Sequence, residues 1–176
     1  MPVRFASIHI PMVASGGIGN GKGIRKALLA GASGAMLGTR FVATFESNAH
    51  AVYKHEIINA HAKDTVLTNC FQDGWPNAPH RALRNRMFIK WDAAGCPPAG
   101  KRPGEGDVLA TGSDGRKVHR YFAMSPDQGL EGAIAECALF AGLSVEFVKD
   151  LPGAGELVER LWRECEKADG DAHAKL

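Results

Sequence analysis

No stretch of this sequence approaches the roughly 20 consecutive apolar residues that a membrane-crossing helix needs. A charge of one sign is missing too. Lys and Arg number 21 against 19 Asp and Glu, a formal net charge of +2. So even a balance gives no reason to expect a nucleic-acid or polyanion partner. The four cysteines, Cys70, Cys96, Cys137 and Cys165, are widely spaced. They form no CxxC pair and no Cys–His cluster at zinc spacing, so no metal site is expected and the thiols read as reduced and inert. Met1 to Ile10 contains Arg4 and His9 and no long apolar core. No signal peptide is therefore expected, and the expected location is the cytoplasm. No HExxH, no Ser-His-Asp order and no P-loop is found; Gly21-Lys22-Gly23 lacks the preceding P-loop spacing.

What is present is an ordinary globular composition, 45% hydrophobic and 23% charged over 176 residues. That is enough for one domain with a proper core. Residues 1–10 carry no clear pattern. Ile10 to Ser15 is a short apolar run ending at Gly16-Gly17, which predicts a buried strand. Asn20 to Gly23 predicts a turn into a helix, where Ile24, Ala27 and Leu28 share one face and Gly31 ends it. Ala35 to Leu37 predicts a second buried strand, ending at Gly38-Thr39. Together these form one βαβ unit, hence a parallel pair of strands.

Further along, Glu46 to Ala62 reads as a long helix and Thr65 to Leu67 as extended. Gly74 to Pro79 reads as a turn cluster, and Arg81 to Trp91 as a helix. Ala93 to Gly115 is rich in Gly and Pro and reads as a long irregular segment. Ala133 to Gly142 and Leu157 to Cys165 read as helices, with a polar tail from Ala168.

The glycines carry the chemistry. Two glycine turns at the same end of a parallel sheet present clustered backbone N–H groups, which is how an α/β fold holds a phosphate. A side chain at Gly16, Gly17 or Gly38 would hold the phosphate off the backbone. Thr39 adds a hydroxyl, the helix starting near Gly21 adds the positive end of its dipole, and Lys22 offers a charge, though a solvated lysine is the plainer reading.

The order Pro11-Met12-Val13-Ala14-Ser15-Gly16-Gly17-Ile18, Gly31-Ala32-Ser33-Gly34, Gly38-Thr39-Arg40-Phe41, Glu46-Ser47 and Tyr53-Lys54 resembles the nitronate monooxygenase family, the 2-nitropropane dioxygenase-like FMN enzymes. Asp64-Thr65, Arg81 to Asn85, Gly104 to Asp107 and Ala141-Gly142 extend the resemblance from about Pro11 to about Cys165. It covers only the C-terminal half of the family's length. The resemblance implies an α/β fold, the C-terminal part of a (β/α)8 TIM barrel with additional C-terminal helices. It implies FMN as cofactor, and an alkyl nitronate and dioxygen as substrates.

Gly17, accompanied by Gly16, matches a family glycine whose backbone contacts the FMN phosphate. Met36, Leu37, Gly38 and Thr39 match the second phosphate-binding stretch. Met36 and Leu143 stand where many members carry Gln; backbone contacts from Gly38 and Thr39 do not depend on that. The family's catalytic histidine lies upstream of the matched region, so no catalytic residue is assigned here, and association with a missing N-terminal half is expected. The flavin-type enoyl-acyl carrier protein reductases share the glycine turns and stay open as an alternative, as does a non-catalytic FMN- or phosphate-binding half-barrel.

Within one domain spanning 1–176, residues 10–62 read as the phosphate-binding unit, 63–128 as a loop-rich lid segment and 129–169 as C-terminal helices. Of the seven histidines, His50, His55 and His61 are expected on one helix. His50 and His61 would lie about 16 Å apart along its axis, too far to share a metal or a proton. Arg81, Arg84, Arg86 and Lys90 read as a solvated helix face. Trp75, Pro76 and Trp91 read either as a lid or as anchors of the long loop.

Overall fold

In a computed structural model the chain is described from residue 10 to residue 173, with side chains described through residue 168. Most of the ambiguous stretch at 1–10 lies outside the described residues. The fold is mixed α/β, and its first unit follows the expected order of elements. The two strands expected to be buried are open, with Val13 62% and Met36 59% exposed, because they form a two-stranded sheet with no further strand beside it among the described residues. Strand β1 (Val13–Ser15), helix α1 (Gly21–Leu29) and strand β2 (Gly34–Met36) form a βαβ unit. The strands run parallel, pairing Val13 with Gly34, Ala14 with Ala35 and Ser15 with Met36. Asn20 starts α1 by accepting the amide of Gly23 on its side-chain oxygen at 2.9 Å. Ala30 ends it, and Gly31 follows at φ +97°, a conformation that glycine adopts without steric cost.

The long helix expected over 46–62 is shorter. A four-residue helix α2 (Thr39–Val42) follows β2, and α3 spans only Ala51–Asn59. His50 is the N-cap, its Nδ1 accepting the amide of Val52 at 3.0 Å. Upstream, the chain is drawn into tertiary bonds that compete with helix: Ala49 bridges to Asp127, and the buried Lys54 ammonium donates to the carbonyls of Thr44 and Ser47, each at 2.7 Å. Of the three histidines expected on one helix, only His55 is in it. His61 lies beyond the end, against Glu146 at 3.1 Å.

Residues 80–93 depart from a single helix. Strand β3 (Thr65–Thr68) pairs antiparallel with β4 (His80–Leu83), and α4 (Arg86–Ala93) begins only after Asn85. Asn85 accepts the amide of Phe88 and donates to the carbonyls of Ala135 and Cys137. The basic residues are split accordingly. Arg81 is half-buried in β4 and donates to the Thr65 hydroxyl at 3.1 Å, while Arg84 lies over the Phe88 ring.

The segment from 93 to 115 is irregular only as far as residue 107. Strand β5 (Val108–Gly112) then sits between β6 (Lys117–His119) and β7 (Leu130–Gly132), antiparallel to both. No α-helix forms over 133–142. A single 3-10 turn (Ile134–Glu136) gives way to an extended run beside β4, where Leu83 N–H donates to Leu139 O and Ala141 N–H to Arg81 O.

A second 3-10 segment (Leu143–Phe147) leads to the last helix, α5 (Ala154–His173), which continues through most of the expected polar tail. Its buried residues Leu157, Leu161 and Cys165 recur at helical spacing, and α5 packs on α1. Two cores result. One gathers Phe71, Met87, Val118, Tyr121 and Leu130; the other gathers Tyr53, Ile57, Leu139, Val145 and Val148 under α3.

Candidate functional site

The strand register fixes the site. Because Ser15 pairs with Met36, the residues that follow leave the sheet side by side at its C-terminal end: Gly16-Gly17 from β1 and Leu37-Gly38 from β2. Gly16 and Gly17 have φ of +90° and +72°, so the turn itself demands glycine. Gly38 has an ordinary φ of −94°. A Cβ placed at Gly16, Gly17 or Gly38 would meet no atom within 4 Å. These three positions therefore border open space, and what glycine provides there is unobstructed backbone.

Gly38 is also the N-cap of α2, and no side chain caps that end. The first intrahelical bonds run from Phe41 and Val42 N–H to Gly38 O. The amides of Thr39 and Arg40 lie ahead of those bonds, as first-turn amides always do, and suit an anion. Thr39 is half-buried and its Oγ1 accepts the amide of Gly142 at 3.0 Å. That contact leaves the hydroxyl hydrogen available as a donor. Leu37 is half-buried, and the Met36 side chain is 59% exposed. The structure thus brings all six sequence-predicted positions to one end of the β1–β2 pair.

The first amides of α1 are already engaged within the chain. Glu164 of α5 accepts the Gly21 amide at 2.8 Å, and Asn20 accepts that of Gly23. The positive end of α1 is already met by a carboxylate from this chain. Lys22 is exposed on the first turn of α1. Arg40, next to Thr39, is buried with its guanidinium on Asp150 at 2.5 Å, and Asp150 in turn holds Arg160 at 2.6 Å. Desolvation lowers the Arg40 pKa, with Asp150 opposing it. Neither contact carries a local sequence signal, since the Gly21–Glu164 and Arg40–Asp150 pairs are 143 and 110 residues apart.

The loop-rich segment has its own anchor. Arg102, its side chain 3% exposed, makes two 2.8 Å bonds to the carboxylate of Asp73 and also binds Glu105. Its guanidinium lies 4.4 Å from the centre of the Tyr121 ring. Burial works against the Arg102 charge, but its hydrogen bonds to Asp73 and Glu105 win and raise its pKa. Sequence reasoning missed this cluster. An Arg-x-x-Glu spacing was present, but the Asp73 partner is 29 residues away.

All four cysteines are free. Burial pushes the thiols of Cys70 and Cys137 up to about 12 and about 11, which removes them as nucleophiles near neutral pH. Among the described residues no group of His, Cys, Asp and Glu is placed to hold a metal ion, and no helix is long and apolar enough to cross a membrane.

Comparison with known proteins identifies the family. The family model described as nitronate monooxygenase matches residues 3–164. A nitronate monooxygenase of Pseudomonas aeruginosa is 37% identical over 82% of this chain and 40% of its own length. Nitronate monooxygenase npaC of Metarhizium robertsii is 41% identical over 85% of this chain and 40% of its own. The chain thus spans about two fifths of the length of these curated relatives. Among solved structures, a nitroalkane oxidase from Streptomyces ansochromogenes is 30% identical, with a TM-score of 0.64 over 95% of this chain and 42% of that one. FabK from Thermotoga maritima shares the fold, with a TM-score of 0.68 at 23% identity over 97% of this chain and 49% of that one. On the matched length and these identities, the chain belongs to the nitronate monooxygenase family, a family of oxidoreductases.

Proposed function

We propose that this chain forms the FMN-phosphate-holding portion of a flavin-dependent oxidoreductase that oxidises alkyl nitronates with dioxygen. In this reading β1 and β2 are neighbouring strands, the seventh and eighth, of a (β/α)8 barrel. The observation that carries it is the pairing of two open glycine turns, Gly16-Gly17 and Gly38-Thr39, at the same end of two parallel strands.

The residues suit a phosphate dianion. The backbone at Gly16, Gly17 and Gly38 is unobstructed, the first amides of α2 precede its hydrogen-bond ladder, and the Thr39 hydroxyl has a hydrogen to give. Met36 and Leu37 contribute backbone and an apolar wall beside the turn. Residues 10–62 hold the phosphate, residues 63–128 form the loop-rich cover that Arg102 pins, and residues 129–169 brace both. When bound, the flavin supplies the redox chemistry, and the protein's part is to bind and orient it. A cytoplasmic setting belongs to the same reading, and the four free cysteines support it.

The test is a titration of the chain with FMN and with riboflavin, followed by flavin fluorescence. Tight binding of FMN and much weaker binding of riboflavin supports a phosphate anchor. Equal affinity for the two, or none for either, removes it.

A further inference from the structure

A cavity of about 320 Å³ opens where the chain entering α1, Arg40 of α2, the run 147–150 and α5 come together. That is room for about ten waters, or for one small organic molecule. None of the six positions of the proposed phosphate site lines it. All of its walls come from this chain, and the elements that carry them pack on one another, α1 on α5 and α2 on the second 3-10 segment.

The wall carries three cations, Arg40, Lys149 and Arg160, against two carboxylates, Asp150 and Glu164. Both carboxylates are committed. Asp150 takes Arg40 at 2.5 Å and Arg160 at 2.6 Å, and Glu164 accepts the Gly21 amide at 2.8 Å. The cations keep donors in reserve. The Arg40 side chain is 3% exposed; its Nη2 serves Asp150, while its Nη1 is buried with no partner. A buried donor without an acceptor is costly, more so on a charged group. Lys149 gives one hydrogen to the carbonyl of Ala60 at 2.6 Å, which leaves it two. One positive charge is therefore in excess, and a monoanion in the cavity matches it.

The rest of the wall says what kind of monoanion. Leu157 and Leu161 are buried, and Phe147 is half-exposed beside them. A planar carboxylate fits the guanidinium fork, and an attached alkyl chain uses the apolar side, whereas a halide ion uses neither.

We propose that this cavity binds a small organic monocarboxylate, its oxygens on the guanidiniums of Arg40 and Arg160 and its short alkyl chain against Phe147, Leu157 and Leu161. The site does not depend on the proposed flavin. Ligand-observed NMR titration of the flavin-free chain with acetate, propanoate, butanoate and butanamide tests it. Saturable binding of the carboxylates is expected, tightening about threefold for each added methylene. The uncharged butanamide binds about tenfold more weakly than butanoate. Arg160→Gln weakens butanoate by about tenfold, and Arg160→Lys, which keeps the charge without the fork, recovers part of the loss. Should Arg160→Gln not fold, Lys149→Gln removes one cavity charge, keeps a donor for Ala60 and must also weaken butanoate. No saturable carboxylate binding, an affinity that ignores chain length, equal affinity for butanoate and butanamide, or undiminished butanoate binding in the folded Gln variant overturns the site. Because no flavin is present, failure here is distinct from failure of the chain to bind FMN.

Discussion

The hydroxyl of Thr39 accepts the amide of Gly142 across 103 residues of sequence, at 3.0 Å. This bond ties the second glycine turn to the end of the extended run beside β4, within the segment that braces the phosphate site in the proposed function. Thr39→Val keeps the shape and strands the Gly142 amide. The expected cost is about 1–3 kcal/mol in urea unfolding, with weaker FMN binding. Thr39→Ser, which retains the acceptor, restores both.

The glycines separate fold from function. At Gly21 a Cβ would lie 2.3 Å from the Glu164 Cβ and 2.4 Å from the backbone nitrogen of Cys165. Backbone cannot yield there, so Gly21→Ala parts α1 from α5, and a large loss of thermal stability is expected. Gly38→Ala meets no atom within 4 Å and an ordinary φ. Stability is expected to change by less than about 1 kcal/mol, since nothing is buried or strained. FMN affinity falls because the new methyl stands in the cradle. Thermal melts and flavin titrations of the two variants, read together, check the division.

These two glycines also show what the sequence makes legible. The βαβ unit was readable because its signals are local: short apolar runs, the Asn20 cap and Gly31. The contact that makes Gly21 obligatory comes from α5 and leaves no mark near residue 21. The same holds for the helices expected over 81–91 and 133–142. Ala82, Leu83, Met87 and Phe88 have helical spacing, yet Ala82 and Leu83 are buried in β4 between β3 and the run 139–141. Pairing with distant chain supplies the backbone bonds that a helix would otherwise provide, and tertiary context overrides periodicity there. The side-by-side placement of the two glycine turns was readable from the βαβ pattern, whereas the Glu164, Gly142 and Asp150 contacts were not.

Arg102 anchors the loop-rich segment through a buried fork that lysine cannot reproduce. Arg102→Leu leaves Asp73 without its partner, and a loss of about 3 kcal/mol is expected, the low end for a broken buried pair because Asp73 is partly exposed. Arg102→Lys recovers little of it. Chemical denaturation checks both, and proteolysis is expected to cut first between residues 95 and 107.

His80 makes stability depend on pH. Desolvation lowers its pKa below the ordinary 6.5, with the Ala78 carbonyl contact opposing. The unfolded chain therefore binds the proton more readily. Stability from this residue is complete above pH 6.5 and is lost as the pH falls from there toward the folded-state pKa. The slope is at most about 1.4 kcal/mol per pH unit. His80→Phe is expected to flatten the stability profile just below pH 6.5. The carboxylate Asp150, held low first by Arg160, loses its contribution only at more acidic pH and keeps its slope in the variant.

The central claim is that the two glycine turns hold a flavin phosphate, and phosphorus NMR of FMN reads that group directly. On addition of the full chain, the account predicts that the phosphate resonance shifts and broadens, that excess inorganic phosphate reverses the change, and that Gly38→Ala suppresses it. A resonance that stays where free FMN has it, at protein concentrations well above that of the flavin, would contradict the account.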